Sequence, residues 1–144
     1  MSVPSRLPFP SSPGPGRLSH LLRALLAFCV LLSAVVHLFL WADGMKTLNV
    51  VGPAFLVNAV GGLVLGIFVL AWYSPLPVLG AIAFGVGTLA AFVISTTSGG
   101  FFGVHEMWSG VPQRLSAASE IGAIVLGALT LVVERRRGRV PVSM

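Results

Sequence analysis

Five polar residues with the chemistry to bind a ligand, a proton or a metal interrupt an otherwise apolar chain. Charged residues make up 9% of the 144 residues, whereas hydrophobic residues make up 56%. Ionisable groups inside a membrane are costly and are functional candidates by default. The sequence therefore predicts a polar pocket built from two imidazoles, an amide and two carboxylates: His37, Asn58, His105, Glu106 and Glu120.

Glu120 has three interpretations that the sequence leaves open. It could be protonated, or could hydrogen-bond Asn58 or His37, and link the helices, which contributes about 0.6 kcal/mol on average. It could instead bind a proton or a ligand, or simply lie exposed at the membrane interface. His37 is equally consistent with a satisfied interfacial histidine. The pair His105–Glu106 is equally consistent with a solvated loop.

Four apolar blocks supply the elements that must position these residues. Each has about the 20 residues that an α-helix needs to cross roughly 30 Å of hydrocarbon. Alternating strand patterns are absent, and backbone in lipid must be satisfied within a helix or a closed barrel. The sequence predicts an all-α, integral membrane four-helix bundle with spans at about 21–41, 51–73, 76–97 and 112–133.

The basic residues predict the orientation of the bundle. Seven of the nine lysines and arginines lie toward the two ends of the chain. The positive-inside rule then places both termini in the cytoplasm. The protein itself is predicted to lie in the cell membrane. We expect a disordered Pro/Ser-rich tail over 1–19, a membrane domain over 20–134 and a basic tail over 135–144. This distribution favours contact with the lipid bilayer and argues against a nucleic-acid partner.

With this orientation, the polar candidates all lie toward the outer surface. His37, Asn58 and Glu120 fall in the outer third of their spans, and His105 and Glu106 fall in the last outer connection. We expect nothing comparable in the inner half. Phe101, Phe102 and Trp108 are expected on the lipid headgroups, with His105 and Glu106 leaning over the mouth of the bundle.

Helical spacing predicts which polar side chains share a face. Cys29, Ser33 and His37 follow one another at i+4, which puts them on one side of the first helix. In the fourth helix, steps of three and four connect a longer stripe that we expect to face the bundle: Gln113, Ser116, Glu120, Ala123, Gly127, Thr130 and Glu134.

Small residues and prolines predict the packing. Small residues at i+4 let transmembrane helices approach closely, and the helix-packing candidates are Gly62, Gly66, Gly85, Gly87, Gly122 and Gly127. The turn Ser74–Pro77 predicts that the second and third spans form a close antiparallel hairpin. Whether some glycines face a second protomer, or a larger membrane complex, stays open.

The sequence leaves metals and cofactors undetermined. Met45 and Met107 are predicted near the histidines, and imidazole with thioether suits copper, whereas imidazole with carboxylate suits zinc or iron. His105–Glu106 is not a zinc-protease motif, because the second histidine of that motif would fall at Ser109. One cysteine excludes an intrachain disulfide. An enzyme is not favoured, since we find no nucleophile–base pair or cofactor motif.

Three segments resemble those of a known group of proteins. They are His37–Trp41 (HLFLW), residues 52–62 (GPAFLVNAVGG) and residues 95–103 (STTSGGFFG) followed by Glu106. Together the segments resemble small four-span membrane proteins of high-GC Gram-positive bacteria, a family without assigned function. The resemblance covers roughly residues 20–133 and implies no catalytic residues.

Two functions are therefore predicted. The first is a non-enzymatic accessory or partner subunit of a membrane assembly. The small-residue stripes and short loops favour this function. The alternative is a membrane protein that binds a small ligand, a proton or a metal in an outward-facing polar pocket.

Overall fold

The computed structural model describes residues 16–137, and this part of the chain is a bundle of four α-helices without a β-strand. All four are long and apolar enough to cross a membrane. The predicted all-α, four-helix membrane architecture is confirmed. The helices are α1 (Arg17–Asp43), α2 (Val51–Ala71), α3 (Pro75–Ser95) and α4 (Val111–Arg137).

The helix ends extend beyond the predicted boundaries at the two termini. Helix α1 begins at Arg17, so residues 17–19 of the predicted tail are helical. Helix α4 continues to Arg137, so the predicted basic tail begins inside this helix. The remainder of the two predicted tails, residues 1–15 and 138–144, lies outside the described residues.

The connections follow from local chemistry. Ser74 caps α3: its Oγ accepts a hydrogen bond from the Leu76 amide at 3.3 Å, and a proline occupies the first turn. Proline suits this position because its missing N–H would have no helical partner there. Pro112 occupies the same place in α4. A short 3-10 turn, Met45–Thr47, joins α1 to α2.

Helix α1 is central to the packing. It packs along α2 on one side and α4 on the other, and α3 packs on α4. Helices α2 and α3 contact each other less extensively than these pairs do, so the predicted hairpin is present but packs less closely than expected. The tight turn at Ser74 joins their ends, and farther from it both helices line a cavity, where Asn58 of α2 hydrogen-bonds Thr88 of α3. A cluster of buried residues forms the core: Leu26, Ala27, Val30, Val69, Val78, Ala81 and Ala123.

Five of the six helix-packing glycines lie where another helix comes close. A Cβ atom on Gly85 would lie 2.8 Å from the carbonyl oxygen of Glu120, and one on Gly127 would lie 2.5 Å from Ile82. Gly62, Gly66 and Gly122 are similarly close to side chains of α1. Gly87 differs, because nothing in the described chain lies within 4 Å of its Cβ position. It lines the cavity instead.

Candidate functional site

A cavity of about 240 Å³ lies at the end of the bundle that carries the connections 44–50 and 96–110, called here the loop end. All four helices and the second of these connections line it. The aromatic lining residues are Phe55, Phe92 and Phe101. Its polar lining residues are His37, Asn58, Thr88, Ser95, Glu106, Gln113, Ser116 and Glu120. Four of the five predicted pocket residues thus line one cavity, and His105 does not.

Glu120 is the most buried acid at this site, with 1% of its surface exposed. Its Oε1 accepts hydrogen bonds from Ser116 Oγ at 2.6 Å and from Ser33 Oγ at 3.3 Å. Its two donors are therefore serines of α4 and α1, rather than Asn58 or His37. The i+4 spacing within α4 places Ser116 on the same face as the carboxylate.

His37 is buried and is connected to Glu120 through Ser33. Its Nδ1 lies 2.8 Å from the carbonyl oxygen of Ser33, one helical turn earlier. A carbonyl oxygen can only accept, so Nδ1 must carry a hydrogen in this arrangement. In the neutral ring, Nε2 is then an acceptor. The ring also packs on Phe55, with 5.0 Å between the ring centroids.

Two amide side chains line the cavity, and the hydrogen-bond partner of each determines how its amide group is oriented. Thr88 donates its hydroxyl hydrogen to the carbonyl of Phe84 at 2.8 Å, so its oxygen accepts from Asn58 Nδ2 at 2.7 Å. Gln113 Nε2 donates to Glu106 Oε2 at 3.0 Å. The nitrogen must be the donor, because a carboxylate oxygen can only accept. Both amide groups therefore use their nitrogen in these bonds.

The connection 96–110 places Glu106 at the cavity. A tight turn pairs Phe101 with Val104 through two backbone hydrogen bonds. It needs a left-handed backbone at Phe102, whose φ is 49°, and at Gly103, whose φ is 79°. The Glu106 amide then donates to the Ser95 carbonyl at 3.1 Å, which ties the connection to the end of α3.

The other residues of this connection fall on different sides. His105 is exposed, and its Nε2 lies 3.2 Å from the carbonyl oxygen of Ser98 rather than in the cavity. Phe102 and Trp108 are exposed, as expected for residues at headgroups, whereas Phe101 lines the cavity. Trp108 also stacks edge-on against Phe92, with 4.6 Å between the centroids.

Three buried oxygen atoms of the cavity residues have no hydrogen-bond partner among residues 16–137: Asn58 Oδ1, Gln113 Oε1 and Glu120 Oε2. We call them the cavity acceptors. Buried polar groups in proteins are nearly always hydrogen-bonded, so each exception needs an explanation. All three belong to residues that line the same cavity. The cavity is therefore chemically suited to a molecule that donates hydrogen bonds.

The structure does not assemble a metal centre within the range it describes. Across residues 16–137, histidine, cysteine, aspartate and glutamate do not come together in any group of three or more. Of the residues predicted for a copper or zinc site, His105 and Met107 are exposed.

A second polar site lies at the opposite, terminal end of the bundle, where the sequence predicted nothing comparable. That prediction is wrong. Arg23 is 1% exposed, and its Nε lies 2.7 Å from Glu134 Oε1. Ser19 Oγ donates to the same carboxylate at 2.5 Å. The guanidinium also lies 4.9 Å from the centre of the Tyr73 ring, whose hydroxyl hydrogen-bonds His20.

Arg23 also caps the C-terminal end of α2. Its Nη1 donates to the carbonyls of Val69 and Trp72, both at 3.1 Å, and its Nη2 donates to the carbonyl of Ser74 at 2.9 Å. The last carbonyls of an α-helix have no partner within that helix, so a cation there satisfies them and complements the helix dipole. With the two bonds to Glu134, all five N–H groups of Arg23 are used.

Part of this arrangement was visible in the sequence. The predicted stripe of α4 does face the interior, where Ser116, Glu120 and Thr130 are buried, and Ser33 belonged to the predicted stripe of α1. Thr88 gave no signal, since it is one hydroxyl in a highly apolar helix. Arg23 gave a misleading signal, because basic residues near a span normally mark topology.

No family model, curated protein or solved structure matches this chain.

Proposed function

We propose that this multi-pass membrane protein binds a small ligand in the loop-end cavity. The observation that carries the proposal is that the three cavity acceptors belong to residues lining one space of about 240 Å³. Burying a polar group without a partner costs about 1–3 kcal/mol in protein mutational data. A ligand that donates hydrogen bonds to these oxygens would offset that cost.

The size and lining of the cavity support a ligand of several non-hydrogen atoms. A water molecule occupies about 30 Å³ in the liquid, so 240 Å³ corresponds to about eight waters. Ligand sites are mostly apolar and contain a few polar groups that fix orientation. Here the rings of Phe55, Phe92 and Phe101 supply the apolar surface beside the cavity acceptors.

We also propose that both termini lie in the cytoplasm, so that the cavity faces the outer side of the cell membrane. Exposed arginines at the terminal end support this orientation, with Arg17 opening α1 and Arg135–Arg137 closing α4. Lys46 and Arg114 are the basic residues of the loop end within the described chain. The terminal end therefore has more basic residues than the loop end, and the positive-inside rule assigns the more basic side to the cytoplasm.

Native mass spectrometry of the full-length protein, purified in mild detergent from its native membrane, tests ligand binding. We expect a bound small molecule in the wild type, and its loss in Ala91→Phe, which fills the cavity from α3. Ala90→Phe is the matched control, because Ala90 is exposed on the same helix and does not line the cavity. A wild-type protein without a bound molecule, or equal retention in both variants, contradicts the proposal.

The accessory-subunit function is the second candidate, and one observation favours it. A groove of about 250 Å³ between α1 and α2 is lined by Leu31, Ala34, Val35, Leu38, Ala59, Val60 and Leu63. Such a surface suits a helix of another subunit or of a second copy. In a Cys29→Ala background, Val60→Cys should give a discrete cross-linked product in membranes. Val86→Cys, equally exposed on α3, should not. Identical cross-linking at both positions would exclude a specific interface at the groove.

A further inference from the structure

Residues that line the cavity carry buried acceptors without a partner in the described chain. Asn58 and Gln113 use their amide nitrogens on Thr88 and Glu106, so each amide oxygen keeps no hydrogen-bond partner among residues 16–137. Glu120 receives two serine hydroxyls on Oε1 and keeps Oε2 without a partner in the described chain. A ligand that satisfies these oxygens must be a hydrogen-bond donor.

The lining carries two carboxyl groups. Glu106 and Glu120 both line the cavity, and the part of its lining that belongs to residues 16–137 contains no lysine or arginine. In the described part of the chain, the one ion pair joins Arg23 to Glu134 at the terminal end. His37 is the remaining titratable group of the lining, and its Nδ1 is already engaged with the Ser33 carbonyl. The complementary ligand is a cation.

The aromatic residues distinguish an organic cation from a bare metal ion. Phe55, Phe92 and Phe101 line the same space, and aromatic faces attract ammonium and guanidinium groups. A volume of about 240 Å³ greatly exceeds a single ion. It accommodates an apolar group beside the charged nitrogen.

We propose that the loop-end cavity binds an organic ammonium ion, whose N–H groups donate to Asn58, Gln113 and Glu120 while its apolar part packs on the phenylalanines. This inference rests on the proposed ligand-binding function and specifies its ligand class. No covalent step is involved, and the bound ion keeps its protons.

Calorimetric titration of the full-length protein in lipid nanodiscs with benzylammonium chloride tests the inference. Benzyl alcohol is the neutral probe of matched size. We expect saturable binding of benzylammonium, at least tenfold tighter than that of the alcohol. Glu120→Gln should weaken the cation at least tenfold and affect the alcohol little. Asp43→Asn is the matched control, because Asp43 is an exposed acid at the same end of the bundle and does not line the cavity.

A second variant protects the test against misfolding of Glu120→Gln. Gln113→Met keeps the side-chain length, removes one cavity acceptor, and should weaken benzylammonium severalfold. Equal binding of the two probes, both lost in Ala91→Phe, would overturn the cation assignment and leave the ligand-binding function standing. If Asp43→Asn weakens benzylammonium binding as much as Glu120→Gln does, surface charge explains the effect. That result would also overturn the assignment. Absence of binding by either probe, with no bound molecule in native mass spectra, would overturn both proposals.

Discussion

Replacing Glu134 with glutamine tests the buried ion pair at the terminal end. The substitution keeps the shape of the side chain but removes the negative charge that faces Arg23. The guanidinium is 1% exposed and is held by three backbone carbonyls of α2 and its turn, so it cannot readily turn toward water. The variant therefore leaves a buried cation without its counter-ion.

The expected loss of stability is large for a single substitution. Removing one partner of a buried ion pair costs about 3–5 kcal/mol. The side chain of Glu134 is 25% exposed, so solvent already screens part of the attraction. We therefore expect the lower end, about 3 kcal/mol, which corresponds to roughly a 100-fold change in the unfolding equilibrium constant.

Reversible unfolding in mixed micelles, followed by far-ultraviolet circular dichroism as sodium dodecyl sulfate is added, measures this difference. Arg136→Gln is the control, because it removes an exposed charge from the same end of α4 and should change the free energy of unfolding by less than about 0.5 kcal/mol. Arg23→Met combined with Glu134→Leu should recover part of the loss, since an apolar pair needs no counter-ion. If Glu134→Gln is no more destabilising than Arg136→Gln, the pair contributes nothing and the reasoning fails.

Two further predictions concern packing and orientation. Gly85→Ala should destabilise the bundle by about 1–3 kcal/mol, because the new Cβ would lie 2.8 Å from the Glu120 carbonyl oxygen. Gly87→Ala has open space and should leave the melting temperature in detergent unchanged; equal effects of the two would contradict the proposed helix contact. Fluorescent-protein fusions at either terminus should fluoresce and alkaline phosphatase fusions there should be inactive, and active phosphatase at either terminus would refute the cytoplasmic assignment.

The sequence was sufficient to predict the number and type of the elements. Each apolar block is long enough to span a bilayer, and lipid leaves the backbone no alternative to internal hydrogen bonding. Pro112, where the fourth span was predicted to begin, marks a helix start for an equally local reason, the missing N–H. Helical periodicity also placed Ser116 and Glu120 on the inward face of α4. These properties depend on one segment and its solvent.

Pairing between segments required the tertiary structure. Glu120 finds its hydroxyl partners in Ser33 and Ser116, whereas His105, equally plausible from composition, points away from the cavity. Arg23 and Glu134 are 111 positions apart, and each one alone resembles an ordinary charged residue near a membrane surface. Depth and helical face can be read along one helix, but which helices touch depends on how all four pack. That packing forms the cavity among the four helices and determines which polar atoms meet there.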